Sequence, residues 1–390
     1  MLTRSDPAKV KPQAPRHRRN PRRERRLWHD PEVASAALGC ATCPEKEICG
    51  GLRLNTPFMD CLQFCCGNPE GCDRVCRNHP DFADRYREIG GFNLYSVPRA
   101  PLLNAVGLPR LVPVIYHPTA RSMPPTAATV ALPLYRMFDR RTGLPRFVSR
   151  DALGEAFGIG HQASVMLTGT DIDRPLERWW GLGEAGRRPI IQALIAAGVG
   201  MVTTPNYSLF IDRPRWDDLH AMKRIAIVHE EFLREGLPAA LHVNGRTEAD
   251  FAHWIAFLAA RPEVTHIAYE FTTGTGWSGR REQHAAWLAG LARAVGRPLH
   301  IIVRGGTDVL PVIARAFSGI TVLDTSVFMK TMMRQQAYPK GNAALGWRGA
   351  PTAQGAHVDH LLEANWQATD AWIGDLIASS RSAESAPMAG

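Results

Sequence analysis

A regular alternation of short apolar stretches and amphipathic stretches, between about residues 105 and 375, constrains the fold more than any other feature. The apolar stretches are rich in β-branched and aliphatic residues and predict eight strands: 111–117, 129–137, 164–170, 200–204, 239–244, 264–271, 299–304 and 320–324. Helical patterns in the gaps predict six helices: 149–157, 187–197, 215–235, 247–261, 280–295 and 308–317. The last four strands are almost continuously apolar, which is typical of parallel strands buried on both faces.

Eight strands joined by crossover helices predict the α/β class and a (β/α)8 barrel of the TIM type over 105–375. Thr247 with Asp250 three residues later predicts a capped helix start in this region. Pro113 and Pro133 fall inside the first two predicted strands, which makes those strands less regular. A doubly wound open sheet is the alternative architecture.

Polar residues stand at the end of every predicted strand. In a barrel of this type the chemistry lies at the carboxyl-terminal strand ends, because the βα loops converge there. A buried core would not tolerate so much unpaired polarity, so these ends predict a rim that faces a ligand. The residues are His117, Arg136, Asp171, Asp173, Asn206, Tyr207, Asn244, Glu270, Arg304 and Asp324.

The loop after the seventh strand has a glycine pair. Arg304 is followed by Gly305 and Gly306, and then by a helix start at Thr307. Glycines let backbone amides approach an anion, and a helix amino terminus adds a positive dipole, so the loop is a candidate phosphate site. The alternative is a tight turn that requires glycine. Asp308 at the helix start would compete with an anion.

The stretch 304–330, RGGTDVLPVIARAFSGITVLDTSVFMK, resembles the last part of the barrel of tRNA-guanine transglycosylases. It is similar as well to their relatives of phages and mobile elements, which insert 7-deazaguanines into DNA. In that family a glycine-rich strand end is followed by a helix, an apolar strand and a nucleophilic aspartate. The resemblance implies that Asp324 attacks C1′ of a guanosine and that a 7-deazaguanine then replaces the expelled guanine. A strand-end aspartate that caps the next helix is the alternative reading of Asp324.

This mechanism also needs an acid/base partner for the nucleophile. The family provides a second aspartate in an Asp-Ser-Gly-Gly type of loop, which this sequence lacks. Glu270 and Asp171 are the positional candidates to replace it, with Asp173 beside them. The predicted substrate-binding residues lie on the same rim, and aromatic ones among them could stack on a flipped base. They are Asn206, Tyr207, Asn244, Arg304, Gly305, Gly306 and Trp277, with Phe271 as a further aromatic candidate.

A second local likeness covers 203–216, TTPNYSLFIDRPRW. It is similar to a domain family of phage and mobile-element proteins with a PDFSLY…P pattern, and this likeness implies no activity.

All eight cysteines of the chain lie close together within the segment 31–90: Cys40, Cys43, Cys49, Cys61, Cys65, Cys66, Cys72 and Cys76. With no secretory signal predicted, such crowding favours metal binding over disulfides. Eight thiolates suffice for two tetrahedral zinc sites, and an iron–sulfur cluster is the alternative cofactor. His79 could replace one cysteine as a ligand. In the transglycosylases zinc is bound after the barrel, so this cluster is a separate feature.

The basic charge of the chain is concentrated at residues 1–30. This segment has ten Lys/Arg and three Asp/Glu, a net charge of +7 out of +9 for the chain. It is too polar and proline-rich to fold alone, and such an arm neutralises phosphates, so we expect a nucleic-acid partner, DNA more than RNA. A solubilising tail is the alternative. Residues 380–390 are also predicted to be disordered.

Apolar stretches long enough to span a membrane are missing from the sequence, and we expect a cytoplasmic protein, with an organellar transit peptide as the alternative. The leading functional hypothesis is a pentosyltransferase that exchanges guanine in DNA or RNA for a 7-deazaguanine. Two alternatives remain: a non-catalytic nucleic-acid-binding protein of a phage or mobile element, and a barrel enzyme acting on a small phosphorylated metabolite.

Overall fold

The computed structural model describes residues 82–209, 215–272, 280–340 and 344–382. The predicted basic tail, all eight cysteines, His79 and the final residues 383–390 lie outside the described residues. The predictions of a metal module and of a disordered basic tail therefore concern other parts of the chain than those described below. The prediction of disorder over 380–390 is wrong for residues 380–382, which belong to a helix that ends at Ser382 and in which Ser380 is buried.

Eight parallel strands form one sheet, in the order β1-β8-β7-β6-β5-β4-β3-β2. Val114 and Ala131 form an isolated parallel bridge between the ends of β1 and β2, with Ile115 N donating to Ala131 O at 2.8 Å. The sheet is thereby curled into a nearly closed barrel. The strands are β1 Leu111–Pro113, β2 Thr129–Pro133, β3 Ser164–Thr168, β4 Val199–Thr203, β5 Ala239–His242, β6 His266–Glu270, β7 His300–Arg304 and β8 Gly319–Asp324.

Helices surround the barrel, and a two-stranded antiparallel hairpin follows the last strand. The helices are α1 Phe82–Glu88, α2 Arg150–Phe157, α3 Asp173–Trp180, α4 Gly183–Ala196, α5 Arg215–Arg234, α6 Glu248–Ala259, α7 Arg280–Val295, α8 Leu310–Ala316, α9 Ser326–Met332 and α10 Asp359–Ser382. The hairpin strands are β9 Gln335–Lys340 and β10 Ala344–Gly349. In the described part of the chain, no helix is both long enough and apolar enough to cross a bilayer.

The eight predicted strands and the barrel architecture are confirmed. The open-sheet alternative is wrong, because β1 pairs with β8 and is bridged to β2. Both barrel strands that contain a proline end on it, at Pro113 and Pro133, since proline lacks the N–H needed to extend the ladder. Five elements were not predicted from the sequence: α1, α3, α9, α10 and the hairpin. Eight strands already complete the barrel pattern at residue 324, and α3 is short and rich in charged residues.

Helix starts follow the predicted caps. The Thr247 hydroxyl accepts from Asp250 N, and the Asp250 carboxylate accepts from Thr247 N at 2.8 Å, which is a complete capping box. Ser149 caps α2 in the same way, since its hydroxyl accepts from Ala152 N at 3.2 Å. These local bonds explain why both helix starts could be predicted from the sequence.

The core has two layers, because alternate side chains of each strand face inward and outward. The outward-facing residues and the helices form the larger apolar layer. The interior of the barrel is filled by a smaller set: Val112, Val114, Ala131, Met166, Met201, Ala240, Ala268, Ile302 and Leu323. Alanines on β2, β5 and β6 and larger side chains on the other five strands fill this ring, so the barrel is a packed core with chemistry restricted to its ends.

The amino-terminal end of the barrel is covered by the segment that precedes β1. Val106 and Leu108 pack against the interior residues, and Val106 O is 3.0 Å from His266 Nε2. Upstream, Arg99 makes a bidentate ion pair with Glu263, with both N–O distances at 2.7 Å. This segment closes one end and leaves the carboxyl-terminal end as the mouth.

Candidate active site at the carboxyl-terminal mouth

Four inward-facing side chains form the floor of the mouth. Each lies two residues beyond an interior residue of its strand, so strand alternation directs it into the barrel. Tyr116 follows Val114, His242 follows Ala240, Glu270 follows Ala268, and Arg304 follows Ile302. An apolar interior that ends in a polar floor is the arrangement expected of a barrel that binds a ligand at its strand ends.

Glu270 and Arg304 are neighbours on β6 and β7. Arg304 Nε lies 3.6 Å from Glu270 Oε2, which is an ion-pair distance but too long for a hydrogen bond. Burial raises the pKa of Glu270, while the Arg304 charge and the bonds from Thr272 lower it less strongly. Neither Glu270 Oε2 nor Arg304 Nε has a hydrogen-bond partner among the described residues. Buried charged atoms with incomplete bonding are characteristic of sites whose contacts tighten around a ligand.

Asp324 ends β8 and lies partly buried at the start of α9. Its Oδ1 accepts from Val327 N at 2.6 Å, and Ser326 donates to the carboxylate as well. Burial raises the pKa of Asp324, whereas these hydrogen bonds and the charge of Arg304 lower it. The helix-capping role considered as an alternative is therefore present. Capping fixes the carboxylate in place, within electrostatic range of Arg304.

His242 is a mouth residue that the sequence analysis did not select. Its ring is buried, and Nδ1 lies 2.5 Å from Thr204 O, so Nδ1 is the donor and Nε2 is left as an acceptor. Burial lowers the pKa of His242 to about 4, so the ring is neutral near pH 7. The available signal was its position two residues after Ala240, where a polar side chain interrupts an otherwise apolar strand.

Tyr116 lies within electrostatic range of charged residues at several strand ends. Burial raises the pKa of its hydroxyl, and the charges of Arg304, Asp171, Arg136 and Asp324 also act on it. Asp171 is exposed on the rim, and its Oδ1 accepts from Ile172 N at 2.8 Å. The structure thus brings together Asp324, Arg304 and Asp171 around Tyr116, with Glu270 beside Arg304.

Tyr207 and Asn244 lie behind the mouth, between the barrel and the helices. The Tyr207 ring is fully buried, with the Arg224 guanidinium 4.1 Å from its centroid. Asn244 Nδ2 donates to Tyr207 O at 2.9 Å, and Asn244 O accepts from Trp254 Nε1 at 2.8 Å. These contacts hold the loops in place, and they leave no exposed face of the Tyr207 ring on which a base could stack. Asn206 is half-buried nearby, and its Oδ1 has no partner in the described part of the chain.

The glycine pair after β7 is explained by backbone geometry. Gly305 and Gly306 have φ angles of 71° and 69°, a region that favours glycine. A Cβ at Gly305 would lie 2.5 Å from Thr272 Cγ2, and one at Gly306 would lie 2.6 Å from Phe271 Cγ. The tight-turn alternative thus accounts for both glycines. Trp277 lies outside the described residues.

Metal ligands do not cluster in the described ranges, where no group of three or more His, Cys, Asp or Glu could hold an ion. Comparisons with known proteins return no relative, since no family model and no curated protein matches the chain. The function is therefore argued from the geometry of the mouth and from the resemblance of residues 304–330.

Proposed function

We propose that the mouth is the active site of a base-exchange enzyme of the guanine transglycosylase type, acting on guanine in DNA or RNA. One observation carries the proposal. Arg304 lies on the strand between two carboxyl groups, Glu270 on β6 and Asp324 on β8, and its charge acts on both. Base exchange through a covalent intermediate requires a nucleophile and an acid/base group, and two carboxyl groups in different environments can fill these two roles.

Asp324 is the proposed nucleophile. A carboxylate oxygen forms a bond to C1′ of the guanosine while the bond from C1′ to N9 breaks, and the electron pair leaves with guanine. The bonds from Val327 N and Ser326 hold the carboxylate in one orientation, so that little rotational freedom is lost on attack. In the second half-reaction N9 of the incoming 7-deazaguanine attacks C1′, and the bond from C1′ to the Asp324 oxygen breaks.

Glu270 is the proposed acid/base residue, in preference to Asp171. Burial raises the pKa of Glu270, so its protonated form persists closer to neutral pH than that of an exposed carboxyl group. The protonated carboxyl gives its proton to the departing guanine, and the resulting carboxylate takes the N9 proton of the incoming base. Asp171 is exposed on the rim and has no comparable environment.

Nucleoside analysis tests the proposal. Mass spectrometry of DNA and tRNA nucleosides, from cells with and without the protein, should reveal a modified guanine that depends on the protein. Purified protein should exchange labelled guanine into one of the two polymers. Asp324→Asn should abolish exchange and retain nucleic-acid binding. Binding without exchange by the wild-type protein would favour the non-catalytic alternative, and full exchange by Asp324→Asn would exclude the nucleophile role.

Under this proposal, the roles of the basic arm at 1–30 and of the eight cysteines remain predictions. The arm would deliver nucleic acid by neutralising phosphates, and the cysteines would fold a zinc module beside it. Elemental analysis of the purified full chain for zinc and iron distinguishes zinc from the iron–sulfur alternative.

A further inference from the structure

A cleft with a volume of about 380 Å³ opens beside the mouth, between the ends of β1 and β2 and helix α2. Its charged wall has three arginines, Arg136, Arg140 and Arg146. The aromatic part of the lining includes Phe147, which is half-buried, and Phe138, whose ring is buried against Trp179. Guanidinium groups beside flat aromatic surfaces are suited to a ligand that combines an anion with a ring.

The charge of the cleft is not neutralised by its surroundings. Within the described ranges, none of the three arginines makes an ion pair with a carboxylate. The carboxylate of Asp139, the acidic residue of the lining, accepts hydrogen bonds from the backbone of its own turn. Its Oδ1 accepts from Arg141 N at 2.9 Å and from Thr142 N at 2.8 Å, and these bonds lower its pKa. The cleft therefore has an excess of positive charge.

The loop 137–146, which presents Arg140 and Arg146, is held by backbone hydrogen bonds. Arg146 N donates to Met137 O at 2.8 Å, and Gly143 N donates to Asp139 O at 2.7 Å. From α3, Arg178 Nε donates to Arg140 O at 2.6 Å. Because the backbone is fixed in this way, the two arginines start from a restricted set of positions, which lowers the entropic cost of binding.

The cleft and the mouth share Tyr116, which lines the cleft and packs against the barrel interior. Tyr116 experiences the charges of Arg304 and Asp324 on the mouth side. Arg136 Nη1 donates to Tyr116 O and so lies at the junction. His117 Nδ1 is buried without a hydrogen-bond partner in the described part of the chain, as is common for groups that complete a ligand site.

We propose that this cleft binds the phosphate group attached to the nucleoside whose base and sugar occupy the mouth. The inference rests on the proposed function and adds a phosphate subsite to it. Arg140 and Arg146 would contact the phosphate oxygens with charge-assisted hydrogen bonds. The half-buried ring of Phe147 would pack against the neighbouring sugar or base.

Binding of guanosine and of guanosine 5′-monophosphate, measured by calorimetry, tests the subsite. The wild-type protein should bind the monophosphate at least about tenfold more tightly than guanosine. The double variant Arg140→Ala with Arg146→Ala should lose this advantage and bind guanosine as before. Arg141→Ala is the matched control, because Arg141 is exposed on the same loop and is not part of the cleft lining, and it should keep the advantage.

Equal affinity of the wild-type protein for the two ligands would overturn the inference, as would an undiminished advantage in the double variant. Thermal unfolding of the double variant should match the wild type, since both arginines are exposed. Binding of a single-stranded oligodeoxynucleotide, measured as a third ligand, distinguishes a site for a phosphate within a strand from a site for the terminal phosphate of a monophosphate. Base exchange by Asp324→Asn would remove the proposed function and leave the monophosphate advantage intact. Normal exchange with no such advantage would remove the subsite alone.

Discussion

The two ends of the barrel both contain buried polar side chains, and the strand residues that face each end differ in how completely they are bonded. At the closed end, His266 Nε2 lies 3.0 Å from Val106 O, and His300 Nε2 lies 2.8 Å from the Thr321 hydroxyl. That hydroxyl donates to Pro109 O at 2.8 Å. The polar atoms named here are all satisfied by protein partners.

At the mouth the bonding is incomplete. Glu270 Oε2, Arg304 Nε and His117 Nδ1 are buried and have no hydrogen-bond partner in the described ranges. A folded protein leaves few such atoms, because each one costs free energy that a partner would recover. Polarity alone therefore does not identify the functional end of the barrel. Unsatisfied buried atoms also occur away from the mouth, for example Arg297 Nε shortly before β7. What distinguishes the mouth is that two such atoms belong to neighbouring opposite charges, Glu270 and Arg304.

The largest expected effect concerns catalysis at the mouth. Glu270→Gln keeps the size of the side chain and an acceptor for Thr272 but removes the transferable proton. We expect the rate of base exchange to fall by about 10²- to 10⁴-fold. Steady-state assays with labelled guanine measure it, with Glu248→Gln as an exposed control on α6. Loss of exchange in Asp171→Asn, with normal rates in Glu270→Gln, would transfer the acid/base role to Asp171.

A substitution at the closed end should affect stability and leave the chemistry unchanged. Thr321→Val keeps the shape of the side chain but leaves His300 Nε2 and Pro109 O without their partner. The free energy of unfolding should fall by about 1–3 kcal/mol. Urea denaturation measures this change, and the rate of base exchange should equal that of the wild type. A loss of exchange in a folded variant would contradict the division of roles between the two ends.

We expect one histidine at each end, His242 at the mouth and His300 at the closed end, to make the fold less stable at acidic pH. Burial lowers the pKa of His242 and of His300 to about 4, below the unfolded value. Their contribution to the free energy of unfolding is complete above about pH 6.5. It is lost as the pH falls toward 4, because the histidines of the unfolded chain bind protons at a higher pH than those of the folded chain. For His242 the loss near pH 5 is on the order of 1–2 kcal/mol.

Urea denaturation at about pH 7.5 and about pH 5 measures this sensitivity. His242→Gln and His300→Gln should each flatten the pH dependence, whereas His360→Gln, an exposed control, should not. Flattening by His300→Gln alone would mean that the mouth is well hydrated around His242.

The smallest expected effect concerns the glycine turn after β7. Asp308 pairs with Arg281 at 3.2 Å, and both side chains are at least one-third exposed. Asp308→Asn should change the free energy of unfolding by less than about 0.5 kcal/mol. Its affinity for guanosine 5′-monophosphate should equal that of the wild type. A clear gain in affinity would reassign the phosphate to the Gly305–Gly306 turn.

Strand alternation made much of the site predictable. Glu270 and Arg304 were identified because each ends an apolar strand, and the alternation that buries Ala268 and Ile302 also directs them inward. Asp324 was placed at a strand end by the same pattern. Tyr207 and Asn244 follow strands as well, yet both pack against the helix layer. Residues beyond a strand need not keep its alternation: Tyr116 keeps the alternation of β1, whereas the direction of Tyr207 and Asn244 depends on contacts with distant segments.

By itself the sequence determined the number and order of the barrel strands and the capped helix starts at Ser149 and Thr247, because strand period and capping bonds are local. Tertiary structure alone decided that β1 meets both β8 and β2, since these contacts join residues about 20 and 210 positions apart. It also decided which polar atoms remain unsatisfied and that Arg136, Arg140 and Arg146 face one cleft. Such properties arise only when segments distant in the chain are packed together.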